Sequence, residues 1–180
     1  ELIRSLQQWL GLCLTGEIGL FQGFLYCYGS GANGKSSFFE AIKLLLGDYY
    51  GSADVSVLLQ KYQPNETDKY ALAELQGKRL LVCSEIPADR KFNEGLIKDL
   101  TGGEMVNARR PYGLPFSYEM QAKLAVFGNH KIKIEGTDYG IWRRVKMIPF
   151  ETTIPENERL SKEQITEKFK KELSGIFNWA

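Results

Sequence analysis

Gly29-Ser30-Gly31-Ala32-Asn33-Gly34-Lys35-Ser36 decides how this chain is read, because it meets every fixed position of the phosphate-binding pattern G-x-x-x-x-G-K-[ST]. Outward from it, Phe24-Leu25-Tyr26-Cys27-Tyr28 reads as a buried strand, and Ser37 to Leu46 carries helical apolar spacing. Three glycines let the backbone curl around a polyphosphate, with several N–H groups pointing inward at the start of a helix whose dipole favours negative charge. Gly29, Ser30, Gly31, Ala32, Asn33, Gly34 and Ser37 are the expected walls of a nucleotide site. Lys35 is expected to reach the β/γ-phosphates of ATP, and the Ser36 hydroxyl to hold Mg²⁺. The plain alternative is a Gly-rich strand-to-helix turn with no ligand.

The 180 residues have one domain's length, enough to bury roughly 70% of the surface an unfolded chain exposes. A net charge of +1 does not announce nucleic-acid binding, though it allows a local basic patch. Cys13, Cys27 and Cys83 each sit in an apolar run and read as reduced core thiols. His130 is the only histidine, which argues against a zinc site or a Cys–His nucleophile pair. No apolar run reaches spanning length and no signal peptide opens the chain, so a cytoplasmic protein is expected, with no membrane partner. The start at Glu1 and the stop inside an apolar helical pattern at Asn178-Trp179-Ala180 suggest a piece of a longer protein.

Leu2, Leu6, Trp9, Leu10 and Cys13 share one face of an opening helix that closes at Thr15-Gly16. Residues 51–68 read as a polar, irregular, mobile surface segment. A short helix is expected from Tyr70 to Leu75, a strand from Arg79 to Cys83, and a helix from Phe92 to Leu100. Met105 to Arg109 and Phe116 to Tyr118 suggest a β-hairpin around Pro111-Tyr112-Gly113-Leu114-Pro115. Lys123 to Phe127 and Val145 to Phe150 read as further strands, and the pattern from Ser161 onward is helical with a mostly charged face. Strands alternating with helices behind the glycine loop imply a parallel α/β sheet with an inserted hairpin. The expected organisation is an N-terminal helical segment (1–20), an ATPase core (21–150) and a C-terminal helical extension (151–180).

A nucleotide hydrolase also needs an acid near the metal. Glu85 follows the apolar strand Leu80-Leu81-Val82-Cys83 and either holds the Mg²⁺ shell or orients the attacking water. An ordinary strand-end glutamate is the bland reading. Asn129 ends the next apolar strand and can hydrogen-bond the γ-phosphate or the water, or simply start a loop. At the hairpin tip, Arg109 and Arg110 offer phosphate attraction and Tyr112 a flat face for stacking, without side chains suited to reading base edges. A solvated turn is the alternative there.

The order GSGANGKSS, LLVCSE, FNEGLIKDLTGGEMVNARR, LAVFGNH and GTDYGIWRRVKMIPF resembles the superfamily 3 helicases, above all the C-terminal helicase domain of phage and plasmid primase–helicases, which is related to the poxvirus primase–helicase. The likeness runs from about Ile3 to Ala180. It implies an AAA+-like core that assembles into hexameric rings around single-stranded or forked DNA and hydrolyses ATP between subunits. It also implies phosphate and Mg²⁺ roles for Lys35 and Ser36, the second acidic motif at Glu85 and a sensor role for Asn129. The resemblance places the arginine finger in Trp142-Arg143-Arg144. It favours Arg143, whose spacing to Phe150 is similar to that between finger and closing apolar residue in better-known viral members, with Arg144 as the alternative. Glu94 to Arg109 matches the segment leading into a DNA-contacting hairpin. Many members carry two adjacent acids where this chain has Ser84-Glu85, which leaves the division of labour at Glu85 open.

Two other classes compete with a DNA translocase. A P-loop kinase for a small molecule or nucleotide would use the double arginine as part of a lid, but has no evident use for the hairpin. A low-turnover, ATP-dependent DNA-binding initiator module would bind nucleotide tightly and hydrolyse little.

Overall fold

The computed structural model describes residues 1–61, 66–84, 91–130 and 139–180. From the N-terminus come α1 (Leu2–Thr15), β1 (Phe24–Tyr28), α2 (Lys35–Leu46), β2 (Tyr50–Ala53), α3 (Glu66–Ala73) and β3 (Leu80–Cys83). They are followed by α4 (Glu94–Gly102), the strands β4 (Met105–Arg109), β5 (Pro115–Glu119) and β6 (Lys123–Gly128), then α5 (Tyr139–Trp142), β7 (Val145–Pro149) and α6 (Lys162–Trp179).

Five strands form one sheet in the order β2-β3-β6-β1-β7, with every pairing parallel. Side chains alternate across a strand, so the apolar runs of the central strands feed two cores at once. Phe24, Tyr26, Leu81, Cys83, Leu124 and Val126 point into one core, which α4 and the hairpin close with Ile97, Leu100 and Val106. Leu25, Cys27, Leu80, Val82 and Ala125 point into the other, capped by Trp9, Leu10 and Cys13 of α1 and by Phe39, Ile42 and Leu46 of α2. β4 and β5 make a separate antiparallel hairpin, as the turn chemistry suggested.

The α/β fold with an inserted hairpin and an opening helix agrees with the sequence reading. The mobile segment expected at 51–68 does not, over its described part, residues 51–61 and 66–68; residues 62–65 lie outside the described residues. Gly51–Ala53 belong to the edge strand β2, in register with Leu81–Cys83. A 3-10 turn follows at Val55–Leu58, begun by Asp54, whose carboxylate accepts from the Ser56 N–H at 2.8 Å. Val55, Val57, Leu58 and Leu59 are buried, and Leu58 is fully so. The polar flanks hid a short apolar plug whose burial outweighs its irregular backbone. The helix expected at Tyr70 to Leu75 lies earlier, at Glu66–Ala73.

All three cysteines are buried free thiols. Burial pushes the Cys27 and Cys83 thiols up to about 12 and raises Cys13 further, which suits core packing and not nucleophilic chemistry.

Candidate functional site

The glycine loop runs from the end of β1 into the N-terminus of α2, and its backbone takes conformations that the sequence permits cheaply. Gly31 and Gly34 have φ of 105° and 84°, while Ala32 is held at φ 49° without glycine's freedom. Gly29 is required for a different reason. A Cβ there would lie 2.1 Å from the Phe150 carbonyl oxygen and 2.2 Å from Asn33 Nδ2. The loop is tied down from far along the chain: Asn33 Nδ2 donates to the Phe150 carbonyl at 2.6 Å. The Ile154 N–H donates to the Ala32 carbonyl at 2.7 Å, and the Gly29 N–H to the Gly128 carbonyl at 3.2 Å.

Lys35 is buried, and its ammonium donates to the Gly29 carbonyl at 2.6 Å and to Asn33 Oδ1 at 2.9 Å. Ser36, the second residue of α2, is exposed in the wall of a cleft of about 500 Å³. Asn129, just past β6, lies on the same wall. The strand order β3-β6-β1 sets the C-terminal ends of β3 and β6 beside the loop, the usual place for ligands in open α/β sheets. Glu85 lies outside the described residues; β3 ends at Cys83, two residues before it. Among the described residues, no group of three or more His, Cys, Asp or Glu side chains is placed to hold a metal. Mg²⁺ needs no such cage, because it takes one or two protein ligands alongside phosphate oxygens and water. The hydroxyl of Ser36 fits that use.

Another part of the cleft lining was not foreseen from the sequence. It consists of the segment after β7 and the first turns of α6, with Arg159, Leu160, Ile165, Lys168 and Phe169 facing the cleft. Arg159 Nε donates back to the Ile154 carbonyl at 3.0 Å, which folds this segment against the loop. A signal existed in Leu160, Ile165 and Phe169, apolar positions spaced along an otherwise charged stretch.

The two candidate finger residues occupy different environments. Arg144 is 9% exposed; its Nε donates to Thr101 Oγ1 at 3.1 Å and its Nη1 to the Gly140 carbonyl at 2.7 Å. Arg143 is exposed. Both precede β7, whose first residue pairs with Phe24, whereas the glycine loop follows Tyr28 at the other end of β1. Five strand residues at ~3.3 Å each separate them by roughly 16 Å. Neither arginine is brought to this chain's own loop.

At the hairpin tip, Tyr112 is fully exposed at φ 59°. Arg109 Nε donates to the Gly113 carbonyl at 3.0 Å, which closes the turn. The exposed Arg110 reaches Gln76 Oε1 at 3.0 Å and lies 5.2 Å above the Phe116 ring. Tyr118 anchors the hairpin base by donating to the Leu72 carbonyl at 2.6 Å.

A five-stranded parallel sheet with a glycine loop between β1 and α2 defines a P-loop NTPase-like fold, and solved structures share it. The chain superposes on the C-terminal region of NrS-1 with a TM-score of 0.64 at 16% identity, covering 93% of this chain and 39% of that one. It superposes on a JCV helicase with a TM-score of 0.57 at 15% identity, covering 94% of this chain and 46% of that one. Residues 27–144 match the family of unknown function DUF5906, and the chain belongs to that family. It is 34% identical over 163 residues to a protein of Acanthamoeba polyphaga mimivirus provisionally named a helicase, covering 91% of this chain and 16% of the relative. A protein of African swine fever virus provisionally named a primase is 26% identical over 152 residues, covering 81% of this chain and 16% of its own length. These relatives bear out the resemblance to superfamily 3 primase–helicases. The chain spans about one-sixth of the length of either viral relative. No helix among the described residues is long and apolar enough to cross a membrane.

Proposed function

We propose that this chain is the ATP-hydrolysing, DNA-translocating domain of a cytoplasmic primase–helicase that works as a hexameric ring. The observation that carries the reading is the placement of Lys35, Ser36 and Asn129 on one cleft wall while the exposed Arg143 sits a strand's length away. That separation suits a finger acting on a neighbour's nucleotide. ATP fits the cleft with its phosphates against the loop N–H groups and its nucleoside against the wall formed by Ile165 and Phe169.

In this reading Lys35 turns from its loop acceptors to the β/γ-phosphates, and Asn129 orients the γ-phosphate or the attacking water. Ser36 and Glu85 are the residues for Mg²⁺, which supplies charge neutralisation at the phosphate oxygens when bound. Arg143 of one subunit stabilises charge on the transferring group in the next. Arg109, Arg110 and Tyr112 hold single-stranded or forked DNA, by phosphate contact and stacking, with little regard to sequence.

ATP turnover with and without single-stranded DNA tests the whole reading. Stimulation by DNA, loss in Lys35→Ala and retained ATP binding with slow turnover in Glu85→Gln are expected. Turnover only with a small phosphoryl acceptor would instead identify a kinase. Tight ATP binding with negligible turnover would identify an initiator module.

A further inference from the structure

We infer that Asn33 is a positioning residue for Lys35: its amide pins the glycine loop to the end of β7 and holds the lysine ammonium back until phosphate displaces it. The inference rests on the nucleotide reading of the cleft. Both ends of one amide are in use. Nδ2 donates to the Phe150 carbonyl at 2.6 Å, and Oδ1 accepts from Lys35 Nζ at 2.9 Å. That double use fixes which end is nitrogen, since a carbonyl can only accept and an ammonium can only donate. Gly29 completes the arrangement in two ways. Its carbonyl takes Lys35 Nζ at 2.6 Å, and its missing Cβ leaves the space through which Asn33 reaches Phe150.

Lys35 is thus buried with the Gly29 carbonyl and Asn33 Oδ1, both neutral, among the acceptors of its ammonium. The resting bonds have one charged partner, the ammonium; a triphosphate adds the opposite charge on the acceptor, so its contact gains ion-pair attraction as well as the hydrogen bond. The lysine therefore moves to phosphate, while Asn33 stays pinned through Nδ2 and preserves the loop. The neutrality of Asn33 is the critical property. A carboxylate in its place would grip the ammonium with full charge and would lose the donor to Phe150.

ATP affinity, measured by calorimetry on the full chain, tests this with Asn33→Ala and Asn33→Asp. Both lose the pin, and only the second adds a competing charge. Asn33→Asp is expected to bind ATP about fivefold or more weakly than Asn33→Ala, because the ammonium must leave an ion pair of about 1 kcal/mol to reach phosphate. In a Lys35→Met background, at nucleotide concentrations high enough to measure binding, the gap should close, because Asn33 acts through Lys35. Equal affinities of Asn33→Asp and Asn33→Ala with Lys35 intact would overturn the inference. A gap that persists without Lys35 would also overturn it, since the carboxylate would then repel phosphate directly. Wild-type protein that binds no ATP would sink the nucleotide reading itself. The pin would still be checked separately, by a lower melting temperature in Asn33→Ala.

Discussion

Arg144 Nε donates to Thr101 Oγ1 at 3.1 Å, and Thr101 Oγ1 in turn donates to the Ile97 carbonyl at 2.6 Å. This chain of bonds sews the start of β7 to α4 and commits Arg144 to the interior. The neighbouring Arg143 faces outward. Arg144→Ala should therefore lower stability by about 3 kcal/mol, a typical cost for removing hydrogen bonds to a charged group. Arg143→Ala should leave stability within about 0.5 kcal/mol of wild type. Urea melts of the two variants check the contrast.

Turnover should divide the other way. Arg143→Ala is expected to bind ATP normally yet lose hydrolysis by up to roughly 10³–10⁵-fold, in line with other arginine fingers. Mixing it with Lys35→Ala protein should recover activity, because interfaces that pair an intact loop with an intact finger reappear. No recovery in rings shown to contain both variants would rule out action between subunits.

The hairpin separates electrostatic from stacking contributions. Arg110→Ala should weaken DNA binding and reduce its salt dependence by about one counterion. Tyr112→Ala should cost about 1–3 kcal/mol with little change in the slope, since stacking releases no condensed ions. Basal ATPase should survive both changes. Binding isotherms across a salt series give the answer, and two wild-type curves would reduce the tip to a solvated turn.

The second cleft wall can be probed with a ligand that lacks a base. Phe169→Ala should weaken ATP binding by roughly 1–3 kcal/mol if the base stacks there, and should leave inorganic tripolyphosphate unaffected. Parallel losses for both ligands would place the nucleoside elsewhere.

Buried thiols make alkaline stability a readout of the core. Cys27 and Cys83, pushed up to about 12 from an ordinary 9.0, stay protonated in the native state while the unfolded chain ionises. Their contribution is complete below pH 9 and is lost as pH rises toward 12, by up to about 1.4 kcal/mol per thiol per pH unit. Lys123, lowered from its ordinary 10.5 by burial, acts in the opposite sense as pH rises toward 10.5. Comparing the slopes of urea midpoints for Cys27→Ala and wild type between pH 9 and 10 cancels that term, and the variant should be flatter.

Much of this architecture was legible in the chain because it depends on neighbours in sequence. β1, the glycine loop and α2 are contiguous, and a continuous apolar run gives way to apolar positions at helical spacing where the loop intervenes. The hairpin announces itself through Pro111, Gly113 and Pro115. β2 was hidden because a four-residue edge strand beginning Tyr50-Gly51-Ser52 has neither length nor alternation to mark it. The wall carrying Phe169 was hidden for another reason. No local pattern tells which distant helix will face a loop, and the mostly charged surface of α6 disguised the residues turned toward the cleft.

Asn33 and Phe150 stand 117 positions apart, and Ala32 is held by Ile154 from further still. A strand, loop and helix excised as a short peptide would carry the phosphate-binding pattern without the two bonds that shape it. During synthesis the same holds in time. Nucleotide cannot stabilise the nascent chain through a finished loop until Ile154 has left the ribosome and β7 has docked beside β1. ATP should consequently act on late folding intermediates and leave the earliest collapse untouched.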